Sequence, residues 1–447
     1  EFLAQLADTV GPATATAMRS FLDQPGVPRI SAKLRCEPLQ PPRVWLSQQR
    51  SLPAGVLDPD PKLWSLPVCL RYGDARSSFQ QCVTLSAPAV TVDLSDMPAG
   101  SKAGERSCPT WILLNADAVG YYRSTVDPKL ARALLTPGSP VARAAKPTPA
   151  ERMMLIDDLR AAVARDELGY DKLLELVPLI AADPDDKVAR RALAVAALPL
   201  QGLDDATYAA ARRWLHKTLH PRAQRLSWRR AAKDPEERHD LRKALVPLAT
   251  IDDPALTAEA ARLADRWLTD RSGLDDDLVV SALEAAARTG DAARFARYVA
   301  AERAARDRSE HRRLLHVLGT FADPALAEQA LAIVLRPDVD LRDSIGIVKS
   351  VLARRETRDL GVAFIDAHID ALLARMRDDE ASWFLRDLAG AFCDPDRKAK
   401  IAAIVAPRAT KIDGAQASVT RALEQADQCI ALVARQLPAL HRVLDAR

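Results

Sequence analysis

Between Trp111 and Asp127 the chain changes the period of its hydrophobic residues, and no single layer of secondary structure serves both sides of that change. Before Trp111 apolar residues recur at every second position; after Asp127 they recur at every third or fourth to the end of the chain. A period of two sends alternate side chains to opposite faces of a strand, whereas a period near 3.6 lines one face of a helix. The sequence therefore predicts a small β module followed by a large all-α region. The stretch itself reads as two short strands, Trp111 to Leu114 and Tyr121 to Ser124, joined by a turn in which Gly120 takes positive φ.

Within the β module, Ile30, Ala32, Leu34 and Cys36 share one face and Ser31, Lys33, Arg35 and Glu37 the other, as in a half-buried strand. Val44 to Leu46 is a second strand. Leu63 to Tyr72 and Phe79 to Leu85 form a hairpin whose register follows from its pattern. Setting Tyr72 opposite Phe79 brings Leu70 against Gln81, Val68 against Val83 and Leu66 against Leu85, so one face is almost wholly apolar. The same register places Cys69 opposite Cys82 on the other face, as a cross-strand disulfide or as two free thiols. Cys36 lies on the inward face and reads as core. Val90, Val92 and Leu94 continue the alternation. Ahead of the module, Phe2, Leu3, Leu6 and Val10 have helical spacing, and Met18 to Leu22 form a second short helix that Gln24-Pro25-Gly26-Val27-Pro28 ends.

After Pro128 the signals are those of helices. Thr148-Pro149-Ala150-Glu151 has the form of a capping box with proline at the first helical position. The helix it starts carries Leu155, Leu159, Ala162 and Val163 against Asp157, Asp158, Arg160 and Arg165. Asp-Pro pairs at 183–184, 253–254, 323–324 and 394–395 punctuate the region, because a helix does not easily run through them. Asp253-Pro254-Ala255-Leu256 recurs as Asp323-Pro324-Ala325-Leu326, with Thr250 matching Thr320. This predicts helical hairpins stacked as a solenoid of the armadillo or HEAT kind.

Four stretches resemble the M1 family of zinc aminopeptidases. Trp111-x-x-x-Asn115 followed by Gly120-Tyr121-Tyr122-Arg123, with Trp64-x-Leu66-Pro67-Val68, resembles strands of that family's β-sandwich. Phe21-Leu22-x-Gln24-Pro25-Gly26-Val27-Pro28 is similar to the end of its thermolysin-like catalytic domain, and Glu151-Arg152-x-x-Leu155-Ile156-Asp157-Asp158 to the opening of its C-terminal helical domain. The resemblance implies three parts: the tail of a catalytic domain at 1–29, a β-sandwich at 30–127 and an α-helical solenoid at 128–447. It further implies a parent enzyme that removes N-terminal residues from peptides with zinc, this portion walling and gating the substrate cavity against the catalytic domain. A non-catalytic helical-repeat scaffold that binds a peptide or protein is the alternative.

The chemistry expected of such a parent is not in these residues. Its zinc site needs His-Glu-x-x-His on a helix, two ligands a turn apart with a carboxylate base between them. The nearest approach, His216-Lys217-Thr218-Leu219-His220, has the spacing but a lysine in place of the base, and reads as partly exposed helix histidines. His311 and His316 point to different faces. The seven histidines assemble into no recognisable metal site, no Gly-x-Ser-x-Gly or Gly-x-x-x-x-Gly-Lys is present, and this chain alone is expected to be inactive and without a cofactor of its own. Asp157-Asp158, Asp252-Asp253, Asp275-Asp276-Asp277 and Asp378-Asp379-Glu380 read as helix-start and loop acids.

Charge excludes some partners. With 63 Lys and Arg against 60 Asp and Glu, the net charge of +3 leaves no whole-chain bias towards nucleic acid or anionic membrane. Arg212 to Lys243 is locally basic, with Trp214 and Trp228 interleaved, and reads as a solvated helix face rather than a nucleic-acid site. No apolar run is long enough to span a bilayer. The first residues lack the form of a signal peptide and a starting methionine, so the chain reads as a fragment or a processed product. The concentration of cysteines in the β module leans towards an exported protein.

Overall fold

The computed structural model describes every residue except 38–39, 95, 98–106, 197–201 and 446–447. The chain forms two compact units, one of residues 1–196 with 438–447 and one of residues 197–437. The first unit opens with helices Phe2–Val10 and Pro12–Leu22, separated by Gly11 at φ 97°. Neither buries a side chain fully, and Phe2 and Leu22 are 62% and 60% exposed. The second helix is anchored at its end, where Phe21 lies against Tyr121 and Trp64 and Gln24 Nε2 donates to the Leu63 carbonyl.

The β module has strands β1 (Pro28–Arg35), β2 (Arg43–Arg50), β3 (Leu66–Gly73), β4 (Ser78–Leu85), β5 (Ala89–Asp93), β6 (Trp111–Leu114) and β7 (Arg123–Ser124). They form two sheets, ordered β5-β2-β1-β7 and β4-β3-β6, whose inner faces share one core containing Ile30, Leu46, Val68, Leu70, Tyr72 and Leu114. The β3–β4 register is the expected one, with Tyr72 opposite Phe79, Leu70 opposite Gln81, Val68 opposite Val83 and Leu66 opposite Leu85. Cys69 and Cys82 sit opposite each other, 4.0 Å apart at Cα, and are bonded. Cys36 corrects the sequence reading: β1 ends at Arg35, so the alternation no longer governs it, and an exposed Cys36 is bonded to Cys108.

The segment after β6 also differs from expectation. The two short strands do not pair with each other; β6 is antiparallel to β3 in one sheet, and β7 is parallel to β1 in the other. The connection is a 3-10 turn at Ala116–Ala118, and the positive φ values fall on Asn115, Asp117 and Ala118 rather than on Gly120. Gly120 is required for space. The buried Asn115 side chain accepts from Gly120 N at 2.7 Å and donates to Gly120 O at 2.9 Å, and a Cβ at 120 would lie 2.3 Å from Tyr122 Cε1.

The helices of the first unit are Pro128–Leu135, Pro140–Ala145, Pro149–Ala164, Tyr170–Leu174, Val177–Ala181 and Asp186–Ala196. The capping box forms as read: Thr148 Oγ1 accepts from Glu151 N, and Glu151 Oε2 accepts from Thr148 N. Glu151 is fully buried and also pairs with Arg71 of β3 and accepts from Asp117 N, so the helix start is fastened to the β module. The second unit holds helices Asp205–Leu226, Glu236–Thr250, Pro254–Asp270, Val279–Arg288, Ala292–Ala304, Arg308–Leu318, Pro324–Val334, Leu341–Ala353, Arg358–Leu373, Asp378–Ala389 and Pro395–Ala409; Ala415–Asp445 is the last helix of the chain. Asp253, Asp323 and Asp394 each cap a helix whose first residue is the proline that follows. One apolar core runs through the second unit from Ala264 to Ala422, and Cys393 is bonded to Cys429. No helix among the described residues is long and apolar enough to cross a membrane.

Candidate functional site

The helix Asp205–Leu226 presents His216 and His220 on one face, their ring centroids 4.4 Å apart. The sequence reading stopped at two donors, but the fold brings up a third. Asp253 places Oδ2 2.9 Å from His220 Nδ1, and the donor atoms of the three residues all lie within 4.8 Å of one another. Nothing in the local pattern marks this, since Asp253 is accounted for as a helix cap. His311 and His316 face different partners, Glu302 and Glu284. The sequence holds no His-Glu-x-x-His.

The acidic clusters are engaged in pairs and caps. Asp157 faces Arg160 and Arg191, Asp252 pairs with Arg212, Asp276 with Arg313, and Asp277 with His239 and Lys243. Asp378, Asp379 and Glu380 form the first turn of their helix, where the N-terminal dipole favours them. Asp158 is different: it is 1% exposed, its Oδ2 accepts from Ser124 N, and its Oδ1 faces Arg123 Nη1 at 3.6 Å with no hydrogen-bond partner among the described residues. Burial pushes its carboxyl up to about 7, against the opposing pull of the Ser124 N–H and the nearby Arg123.

Several cations of the basic stretch are held in ion pairs. Arg230 pairs with Glu236, Arg238 and Arg242 with Asp234, and Lys243 with Asp240 and Asp277. Trp228 is fully buried, with Nε1 donating to Leu256 O, and so offers no face for stacking a base.

The feature that sequence reasoning missed is a cavity of about 440 Å³ in the second unit. Leu248, Ile251, Leu352, Phe384, Leu388 and Phe392 supply apolar walls, and Arg212, Lys349, Arg355 and Arg358 supply cations against one lining carboxylate, Asp387. Lys349 is paired with Asp387 at 2.7 Å, Arg212 with Asp252, and Arg355 with Asp205 while stacking 4.4 Å over the Tyr208 ring. Arg355 Nη1 and Arg358 Nε are buried with no hydrogen-bond partner among the described residues. Burial, with Arg397 and Arg355 beside it, holds the Arg358 guanidinium below its usual value. Three of the four cations are thus ion-paired, and the apolar walls with Arg358 and the buried Arg355 Nη1 are what suit the site to an anionic group carried on an apolar chain. The run Arg354-Arg355-Glu356-Thr357-Arg358 was visible in the sequence, but its partners come from distant helices.

A two-sheet β module that leads into an all-α region defines a multidomain β-plus-α chain, and the comparisons place it. Residues 111–428 match the ERAP1-like C-terminal domain, so the chain belongs to that family, the C-terminal domain of M1-family aminopeptidases. The match begins at Trp111, where the hydrophobic period changes. The chain is 27% identical over 365 residues to Aminopeptidase M1-A of Oryza sativa subsp. japonica, which covers 78% of this chain and 39% of the relative. It is 25% identical over 346 residues to Aminopeptidase M1 of Arabidopsis thaliana, covering 73% of this chain and 37% of the relative. The chain thus spans well under half the length of these relatives.

Proposed function

We propose that this chain is the C-terminal portion of a zinc aminopeptidase that removes N-terminal residues from peptides, and that its helical unit walls the cavity that holds the rest of the substrate. The observation that carries this reading is the cation-rich apolar cavity around Arg355 and Arg358 in a chain of the aminopeptidase C-terminal family. A peptide offers both apolar side chains and a terminal carboxylate, and the cavity has the matching groups. In this reading zinc and its base come from a catalytic domain outside these residues. The uncovered apolar side chains of helices Phe2–Val10 and Pro12–Leu22 support such a neighbour, since exposed clusters of this kind mark contact surfaces.

The test is an aminopeptidase assay on a protein that includes the sequence upstream of Glu1. Changing Arg355 and Arg358 together to Ala should lower kcat/KM for peptides of several residues by about tenfold, the size expected for lost charged hydrogen bonds, and leave an aminoacyl-anilide unchanged. Equal loss on both substrates would remove the cavity from substrate binding.

Export is part of the same proposal. Three disulfides, two of them in the β module, support an oxidising compartment, because such bonds persist there and are reduced in the cytosol.

A further inference from the structure

We propose that His216, His220 and Asp253 bind a divalent transition-metal ion, zinc foremost. The two histidines lie a turn apart on helix Asp205–Leu226, and Asp253 stands at the start of helix Pro254–Asp270.

The two oxygens of Asp253 have separate roles. Oδ1 accepts from Ala255 N at 2.8 Å and Leu256 N at 3.0 Å, which fixes the carboxylate. Oδ2 is turned to the histidines. Asp253 is only 5% exposed, and Oδ2 and His220 Nδ1 are both buried without an aligned hydrogen bond, although they are 2.9 Å apart. Two polar atoms that approach closely while no N–H points at the oxygen have the relation of two ligands converging on a common ion. A buried carboxylate oxygen that faces a ring nitrogen without an aligned hydrogen bond is otherwise unfavourable.

The spacing suits zinc. Tetrahedral zinc with bonds of about 2.0–2.1 Å holds its ligand atoms about 3.3 Å apart, so the three donors need to move by about an ångström to close on the ion. Two imidazoles and one carboxylate select zinc and its transition-metal neighbours over magnesium or calcium, which prefer all-oxygen sites. Three protein ligands leave the fourth position to water, and the bound ion ties two helices together.

The repeat supplies an internal comparison. Asp323 caps its helix in the same way, with Ala325 N donating to Oδ1 at 2.8 Å, yet it is exposed, and the residues 70 positions after His216 and His220 are Ala286 and Gly290. The cap therefore works without histidines, and the histidine pair beside Asp253 is an addition to it.

The test uses the untagged 447-residue chain, stripped with chelator, dialysed and kept non-reducing so that its disulfides stay closed. Titration with Zn²⁺ should saturate at one equivalent and raise the melting temperature, and Co²⁺ should give the visible absorption of a tetrahedral site. His216→Ala and His220→Ala, both helix-compatible, should abolish the cobalt spectrum. Asp253→Asn, which retains the cap, should weaken zinc binding tenfold or more, and His311→Ala should change nothing. Binding below one equivalent, or binding that survives His216→Ala or His220→Ala, overturns the proposal and leaves the His220–Asp253 approach as an ordinary polar contact.

Discussion

Arg71 of β3 and Glu151 at the start of helix Pro149–Ala164 form a buried ion pair, Arg71 Nη1 donating to both Glu151 oxygens at 2.9 and 2.8 Å. The same carboxylate completes the capping box with Thr148 and accepts from Asp117 N. One side chain thus fastens the helix to the β module. Removing its charge strands a mostly buried guanidinium, so Glu151→Gln should cost about 3 kcal/mol or more, whereas Thr148→Ala should cost about 1 kcal/mol. Urea midpoints of the two variants check this; equal losses would reduce Glu151 to a cap.

Asp158 predicts a pH dependence. Its carboxyl titrates near 3.8 when unfolded and about 7 when folded. Between those values the native state keeps a proton that the unfolded chain has released, so stability falls as pH rises through the window and the penalty is full above about pH 7. Asp158→Asn keeps an acceptor for Ser124 N and removes the penalty. The variant should be the more stable at pH 8, by up to about 4 kcal/mol, with an advantage that shrinks towards pH 4. Unfolding midpoints that run parallel across this range would contradict the assignment.

The disulfides should rank by loop length. Cys36–Cys108 spans 72 positions and Cys69–Cys82 spans 13. Chain entropy assigns them about 4 and about 3 kcal/mol. Replacing each pair by serines should lower stability in that order, and a maleimide should label no cysteine in the unfolded, unreduced chain. A labelled Cys36 would undo the correction made to its reading as a core thiol.

Gly120 is held by contact rather than by backbone conformation. Gly120→Ala forces a methyl against the Tyr122 ring and the Asn115 side chain, and should cost about 1–3 kcal/mol. A neutral outcome by thermal unfolding would mean that this loop relaxes freely.

These residues also mark how far the sequence could be read. The β3–β4 register was legible because slipping it by one position would have turned Leu66, Val68, Leu70 and Tyr72 to the outer face. The cap at Thr148 and the helix starts after Asp253, Asp323 and Asp394 were legible because their chemistry is local. What stayed hidden depends on tertiary approach: the parallel pairing of β7 with β1, the Cys36–Cys108 bond, Arg71 as the partner of Glu151, and Asp253 beside His220. The cavity was hidden for the same reason, its cations and apolar walls being drawn from helices far apart in the chain.

In the proposed function this chain completes an aminopeptidase rather than acting as a free-standing scaffold. The most direct measurement is hydrolysis of aminoacyl-anilides and short peptides by the 447-residue chain and by a protein extended upstream of Glu1, each with and without chelator. The expected outcome is an inert 447-residue chain and an extended protein that releases N-terminal residues, loses activity with chelator and regains it with zinc. An extended protein that carries no His-Glu-x-x-His and cleaves no peptide, while the 447-residue chain binds peptides with full affinity, would contradict it.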